Sequence, residues 1–183
     1  MLTTDTLNAL LLEAFSKQTT WLEASSRYPV EEFIAAFHST RQMMQASIAD
    51  LTNEQVAYVS PAHPMWSISE SITHLIYSQH FYYNKLLAIT TSQLPHMQEA
   101  ARGFGEGALP HRPAEELRVQ LSAATEQINL AIEATRGLAD PHKIEQNTLF
   151  GACAYHTWIL LLLGHEVDHV RQAIIMRRLA KKA

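Results

Sequence analysis

Cysteine is nearly absent from this chain. Cys153 is the single one among 183 residues, which excludes an internal disulfide framework and suits a reducing compartment. Long apolar runs are lacking too. The longest, WILLLLG at 158–164, falls far short of the roughly 20 residues a membrane span requires. The amino terminus, MLTTDTLNALLLEAF, carries neither a basic stretch nor a cleavage pattern. These absences predict a soluble cytoplasmic protein with no membrane partner. Charge of one sign is not in excess either: 14 basic against 18 acidic residues leave no electrostatic footprint for nucleic acid. The one basic cluster, RRLAKK near the carboxyl end, ends a helix favourably. Segments that alternate apolar and polar with period 2 are missing, as are internal repeats and low-complexity stretches, so no strand is expected.

What is present has the helical period, and 47% of the residues are hydrophobic, enough for one domain over 1–183 with its own core. Leu7, Leu10, Leu11, Phe15 and Leu22 mark a first amphipathic helix over about 4–26, closed by Tyr28-Pro29. Val30, Phe33, Phe37, Met44, Ile48 and Leu51 mark a second over about 30–51. In the linker that follows, Thr52 and Gln55 form a capping box on a short turn. Ser67 and Glu70 form a second box that opens a helix to about Ile89, and Trp66 is placed to staple onto its first turns. Residues 90–112 are glycine-rich and read as a loop with one short helix. Pro113 opens a fourth helix that Gly137 ends, and Asn147 or Thr148 caps the last, which runs to about 179. The fold expected is all-α: a four-helix bundle with an additional amino-terminal helix in residues 1–28. The apolar stripe of that extra helix has to be buried, against its own bundle or in a homodimer contact.

The last helix holds HEVDH, residues 165–169, which fits the H-E-x-x-H zinc-protease signature. Two histidines four apart project from one helix face and can share a metal. A third protein ligand is then required. Downstream of His169 the chain is VRQAIIMRRLAKKA, with no Asp, Glu or His, so that ligand must come from upstream. His63, His96, His111 and His142 fall in loops or beside prolines, and His38 lies in the polar patch HSTRQ. His156 is about 180° around the helix from His165, and His80 cannot share a face with His74. His74 remains, on an apolar-rich helix two turns past its cap. Cys153 is about 120° off the metal face and reads as a small buried hydrophobe.

The segment WSISESITHL at 66–75 and HEVDHVRQ at 165–172 together resemble the DinB-like family of metal-binding four-helix proteins, also described as DNA-damage-inducible or YfiT-like. The pattern W-S-x-x-E-x-x-x-H-L, then H-x-x-x-H-x-x-Q, is met at Trp66, Ser67, Glu70, His74, Leu75, His165, His169 and Gln172. The resemblance implies a divalent metal on the three histidines, and an activity such as transfer of a low-molecular-weight thiol, since some members are thiol S-transferases and others have no known activity. It also favours the homodimer.

Three neutral imidazoles suit zinc, nickel, copper or iron and leave a coordination position open, as catalytic rather than structural sites do. Gln172 shares the face of the pair and is a candidate to orient a ligand or substrate. Glu166, the other catalytic candidate, points about 100° off the metal axis, as Asp168 points about 300° off, where support of a ligand or solvation is expected of both. Two functional readings follow, a metal-dependent S-transferase or hydrolase of small molecules and a non-catalytic metal-binding sensor or storage bundle, with an H-E-x-x-H protease a distant third.

Overall fold

Each stretch of helical period becomes a helix in the computed structural model, which describes residues 1–62, 66–89, 111–136 and 143–183. In chain order these are α1 Thr4–Phe15, α2 Trp21–Ser25, α3 Val30–Ile48, α4 Asn53–Ala57, α5 Ile68–Ile89 and α6 Ala114–Arg136. A hairpin of β1 Glu145–Asn147 and β2 Gly151–Cys153 follows, and then α7 Tyr155–Ala180. The long helices α3, α5, α6 and α7 form the bundle. α7 lies between α3 and α5, and α6 closes the other side against both, so α3 and α5 stand across one diagonal. Most of the expected loop at 90–112, the helix stop at Gly137, and His63, His96 and His142 lie outside the described residues.

The core falls into two apolar halves. One gathers around Trp158 with Leu10, Phe33, Phe37, Leu86 and Ile132. The other joins Met44, Ile48, Ile72, Leu117, Leu121 and Met176. Between them runs a layer of buried polar side chains. Arg41 donates to Glu166 (2.7 Å) and to Thr125 (3.4 Å). Gln79, with its amide nitrogen donating to the Ala124 carbonyl at 3.2 Å, turns its amide oxygen to the same guanidinium. Arg41 and Glu166 are both almost wholly inaccessible, which places the polar patch HSTRQ partly inside the protein instead of on its surface.

Two boundaries differ from the expectation. The helix over 4–26 is two helices, because Lys17 takes a left-handed conformation (φ 60°). The Gln18 amide bonds the Glu13 carbonyl at 2.9 Å and the Lys17 amide bonds Ala14 at 3.2 Å, the paired bonds of a Schellman stop. The chain restarts at Thr20, whose hydroxyl accepts from the Glu23 amide while Glu23 accepts from the Thr20 amide. Leu7, Leu10, Leu11 and Ala14 are buried against the chain's own bundle, whereas Phe15 is 59% exposed. α1 approaches α7 closely at Gly164, where a Cβ would stand 2.9 Å from Leu11 Cδ2. That approach buries Leu7, Leu10, Leu11 and Ala14 of the stripe within the chain itself and leaves Phe15 at the surface.

The second difference is the hairpin, where no strand was expected. Glu145 pairs with Cys153 and Asn147 with Gly151. Asn147 caps the turn between them, accepting from the amides of Leu149 (2.8 Å) and Phe150 (3.2 Å), so it does not cap the last helix, which begins eight residues later at Tyr155. Gly151 supplies the left-handed residue (φ 75°) such a three-residue loop needs. Phe150 packs edge-on to Trp21 and Trp158 and fastens the hairpin to the bundle.

A residue with a Cβ at the left-handed position costs about 1 to 2 kcal/mol, partly offset by the larger unfolded-state entropy of glycine. Lys17→Gly should therefore raise the unfolding free energy by about 0.5 to 1 kcal/mol, read as a higher urea midpoint at unchanged denaturant slope. A lowered midpoint would show that the stop at Lys17 is not the strained feature described.

The three-histidine cluster

The capping box expected at the start of α5 is present and sets the height of His74. Glu70 accepts from the Ser67 amide at 2.8 Å, and the Ser67 hydroxyl accepts from the Glu70 amide at 3.1 Å. Two turns on, His74 faces α7. There His165 and His169, one turn apart, meet it: Nε2 of His74 is 3.2 Å from Nε2 of His165, which is 3.3 Å from Nε2 of His169. One ligand atom from each of the three histidines lies within 4.8 Å of those from the other two, and among the described residues no further His, Cys, Asp or Glu joins them.

Hydrogen bonds on the far side of two of these rings assign their tautomers. Gln172 Oε1 lies 3.1 Å from Nδ1 of His169, while the Gln172 amide nitrogen donates to Asp168 Oδ2 at 3.3 Å. An amide oxygen only accepts, so Nδ1 of His169 carries the proton. Ser78 spends its hydroxyl proton on the Leu75 carbonyl at 2.9 Å, which leaves Oγ as acceptor for Nδ1 of His165 at 3.4 Å. Both Nε2 atoms then present lone pairs to each other at 3.3 Å with no proton between them, a repulsion that a cation at their common focus removes. Nitrogens bound about 2.0 to 2.1 Å from a tetrahedral ion stand about 3.3 to 3.4 Å apart. The two spacings at His165 match this, and the donor set suits a metal ion.

The electrostatics agree with neutral rings. Burial, followed by the neighbouring His169, His74 and Arg41, pushes His165 down to about 3. Burial and then His74 push His169 down to about 4, with Asp168 and the bond to Gln172 opposing. Neutral imidazole is the form that binds metals. Trp66, expected as a staple on the first turns of α5, instead lies edge-on to His74 (4.9 Å between centroids) and parallel to His169 (6.2 Å). It is 45% exposed and walls the cluster on its solvent side. Tyr82 covers His165 from within at 5.8 Å.

The remaining candidates stand elsewhere. Gln172 holds a ring and does not project free into the site. Glu166 is turned into the core and bonded to Arg41, where burial pushes its carboxyl up and the guanidinium down while each supplies the other's counter-charge. The Glu of an H-E-x-x-H protease would have to face the metal as a base, and this one does not. Cys153 is buried as expected, its thiol pushed up to about 11 by burial and the facing Glu145. His111 is exposed and His38 and His156 are half-buried, none of them in the cluster.

Arg41 was missed as a core residue, although its position was readable. It falls four residues after Phe37 and three before Met44, on the buried stripe of α3, as Glu166 falls between Leu162 and Val170 on that of α7.

Fold and cluster together define a helical-bundle protein with a three-imidazole site that could hold a metal ion. The DinB superfamily profile matches residues 11–173, and the chain belongs to that superfamily. No curated protein and no solved structure matches it at a significant level.

Two outcomes follow from these charges. Removing one partner of a buried ion pair costs about 3 to 5 kcal/mol, whereas replacing both by apolar groups is often near neutral. Glu166→Leu should thus destabilise strongly in urea unfolding, and Arg41→Met combined with it should recover most of the loss; equal damage in both would deny the coupling.

The histidines predict an acid-labile metal-free protein. Their folded pKa values lie below the unfolded value of about 6.5, so below that pH the unfolded chain binds more protons and stability falls with pH. The slope is about 1.4 kcal/mol per pH unit for each ring, beginning near pH 6.5 and ending as the folded values near 3 and 4 are reached. Urea midpoints measured from pH 7.5 to 5 should decline accordingly, and a flat profile would contradict the buried neutral rings.

Proposed function

We propose that His74, His165 and His169 bind a divalent metal ion, zinc, nickel or iron, and that the protein is a metal-dependent enzyme acting on small molecules, as a thiol S-transferase or a hydrolase. The observation that carries the metal is the convergence of three imidazoles from two helices, with Nε2 of His165 3.2 Å and 3.3 Å from those of His74 and His169. Membership of the DinB superfamily supports it. The catalytic half rests on the number of ligands: three from protein leave a position for water or substrate.

A divalent ion there supplies Lewis acidity, which allows hydroxide or thiolate to exist near neutral pH. The chain's own residues do the rest. His74 comes from one helix and the pair from another, so the bundle fixes their separation before any ligand arrives. Trp66 and Tyr82 give the imidazoles apolar neighbours that limit water. Trp66, half-exposed, also offers a flat face to an organic substrate on the open side.

One observation favours the second reading, a metal-binding bundle without turnover. Gln172 and Glu166, the two catalytic candidates the sequence offers, are both engaged, with His169 and with Arg41. Turnover would then depend on the metal and its bound nucleophile, with no protein base among the described candidates.

Elemental analysis of purified protein should return one metal per chain, and His74→Ala should lose most of the affinity, because a two-histidine site is much weaker. Unchanged stoichiometric binding in that variant would remove His74 from the site. Transfer of a low-molecular-weight thiol to an electrophile and ester hydrolysis are to be assayed in parallel, with metal-free and His169→Ala protein beside the wild type. A metal-dependent rate abolished by the substitution supports the enzyme. Equal rates in all samples, with metal bound in the wild type, leave the non-catalytic bundle.

A further inference from the structure

We propose that Gln172 is a positioning residue that holds the His169 imidazole in its Nδ1–H form, and that Asp168 keeps the Gln172 amide the right way round for this. The argument starts from a choice the sequence leaves open. A glutamine amide presents oxygen or nitrogen to a neighbour, and the two ends have opposite hydrogen-bonding sense. Were the nitrogen turned to His169, it would donate to Nδ1. The ring would then carry its proton on Nε2, the atom that faces His165 and His74, and that atom could not bind a cation.

Asp168 removes the choice. Its Oδ2 stands 3.3 Å from the Gln172 amide nitrogen, and an ionised carboxylate only accepts, so the nitrogen is drawn to Asp168 and the oxygen is left for His169 at 3.1 Å. The three side chains lie within five residues of α7, at i, i+1 and i+4, so helix geometry alone brings Gln172 within reach of both the exposed Asp168 and the buried His169. The chain of polarity runs carboxylate, amide, imidazole, and its outcome is a lone pair aimed at the cluster. Partners that orient a ligating histidine in this way contribute roughly 10- to 100-fold in metal affinity.

This inference rests on reading the cluster as a metal site, but its own observable does not need metal. In metal-free protein labelled with ¹⁵N at histidine, long-range ¹H–¹⁵N correlations near neutral pH should show His169 as the Nδ1–H tautomer. Gln172→Leu should shift it toward Nε2–H, Gln172→Glu combined with Asp168→Ala, which removes the facing carboxylate, should keep it, since a carboxylate also accepts, and Asp168→Ala alone should shift it partway. Zinc affinity, read by competition with a chromophoric chelator, should fall about 10- to 100-fold in Gln172→Leu and be recovered in Gln172→Glu combined with Asp168→Ala. A role in packing alone would leave the tautomer unmoved and would not be rescued by glutamate.

An unchanged His169 tautomer in both Gln172→Leu and Asp168→Ala overturns the proposal. Should Gln172→Leu fail to fold by circular dichroism, Asp168→Ala carries the same decision. A tautomer that moves as expected in a protein that takes up no zinc sinks the metal reading and leaves the positioning role standing. Zinc bound equally by wild type and Gln172→Leu, with no tautomer change, does the reverse.

Discussion

An ion pair between α3 and α7, Arg41 to Glu166, is the contact on which the interior is organised. Both partners are sealed from solvent, so neither can turn away without leaving a bare charge in the core, at a cost of several kcal/mol. Each also interrupts an apolar stripe at a position that packing would otherwise give to a leucine. The two interruptions fall at one level of the bundle. Gln79 from α5 and Thr125 from α6 reach the same guanidinium, so all four long helices contribute to one polar layer between two apolar halves. Hydrophobic packing tolerates sliding and rotation of helices. A layer of this kind does not, and it fixes the height and the turn of each helix against the others.

The rotation of α7 matters most, because the same turn of that helix carries the histidines. Adjacent residues on a helix point about 100° apart. With Glu166 directed at α3, His165 and His169 are directed toward α5, the helix on the other flank of α7. His74 is brought to meet them by the cap at Ser67 and Glu70, which starts α5 at a defined residue. The cluster thus depends on one buried charge pair behind it and one helix cap in front. Neither supplies a donor to the site. The Arg41 charge is one of the causes that hold His165 in its neutral form, and Glu166 compensates that charge, so the focus of the three rings is not left facing an unbalanced cation.

The long helices and the three histidines could be read from the chain because both are expressed in spacing. Amphipathic period marks a helix wherever a bundle buries one face, and a ligand pair four residues apart declares its face at once. The capping boxes at Thr52, Ser67 and their partners were legible for the same reason, a local pattern with a local cause. The break at Lys17 was not. A Schellman stop is normally announced by glycine, and here a lysine takes the left-handed position, while the apolar residues beyond it continue the stripe. The hairpin was hidden by its size, since three residues in each strand are too few to establish period 2, and Asn147 has the same side chain whether it caps a turn or a helix. Glu166 stands off the metal axis as its spacing implies, but neither its burial nor that of Arg41 was legible, because a charged residue is assigned to the surface by its type. Their positions on the stripes pointed inward, and only the pairing of one with the other makes that position tenable.

The string H-E-x-x-H therefore has a different meaning here from the one its composition suggests. In a zinc protease the glutamate serves the metal as a base. In this chain the glutamate serves the fold, and the third histidine comes from another helix through a separate motif. What remains to act beside the rings is Gln172, which the structure engages with His169 under the hold of Asp168. The protein's contribution to the site is thus position, neutral charge and tautomer, each set by a named contact outside the cluster. Any reaction at such a site, as proposed above, would draw its acid and base from what binds there, because Gln172 and Glu166 are both already engaged, with His169 and with Arg41.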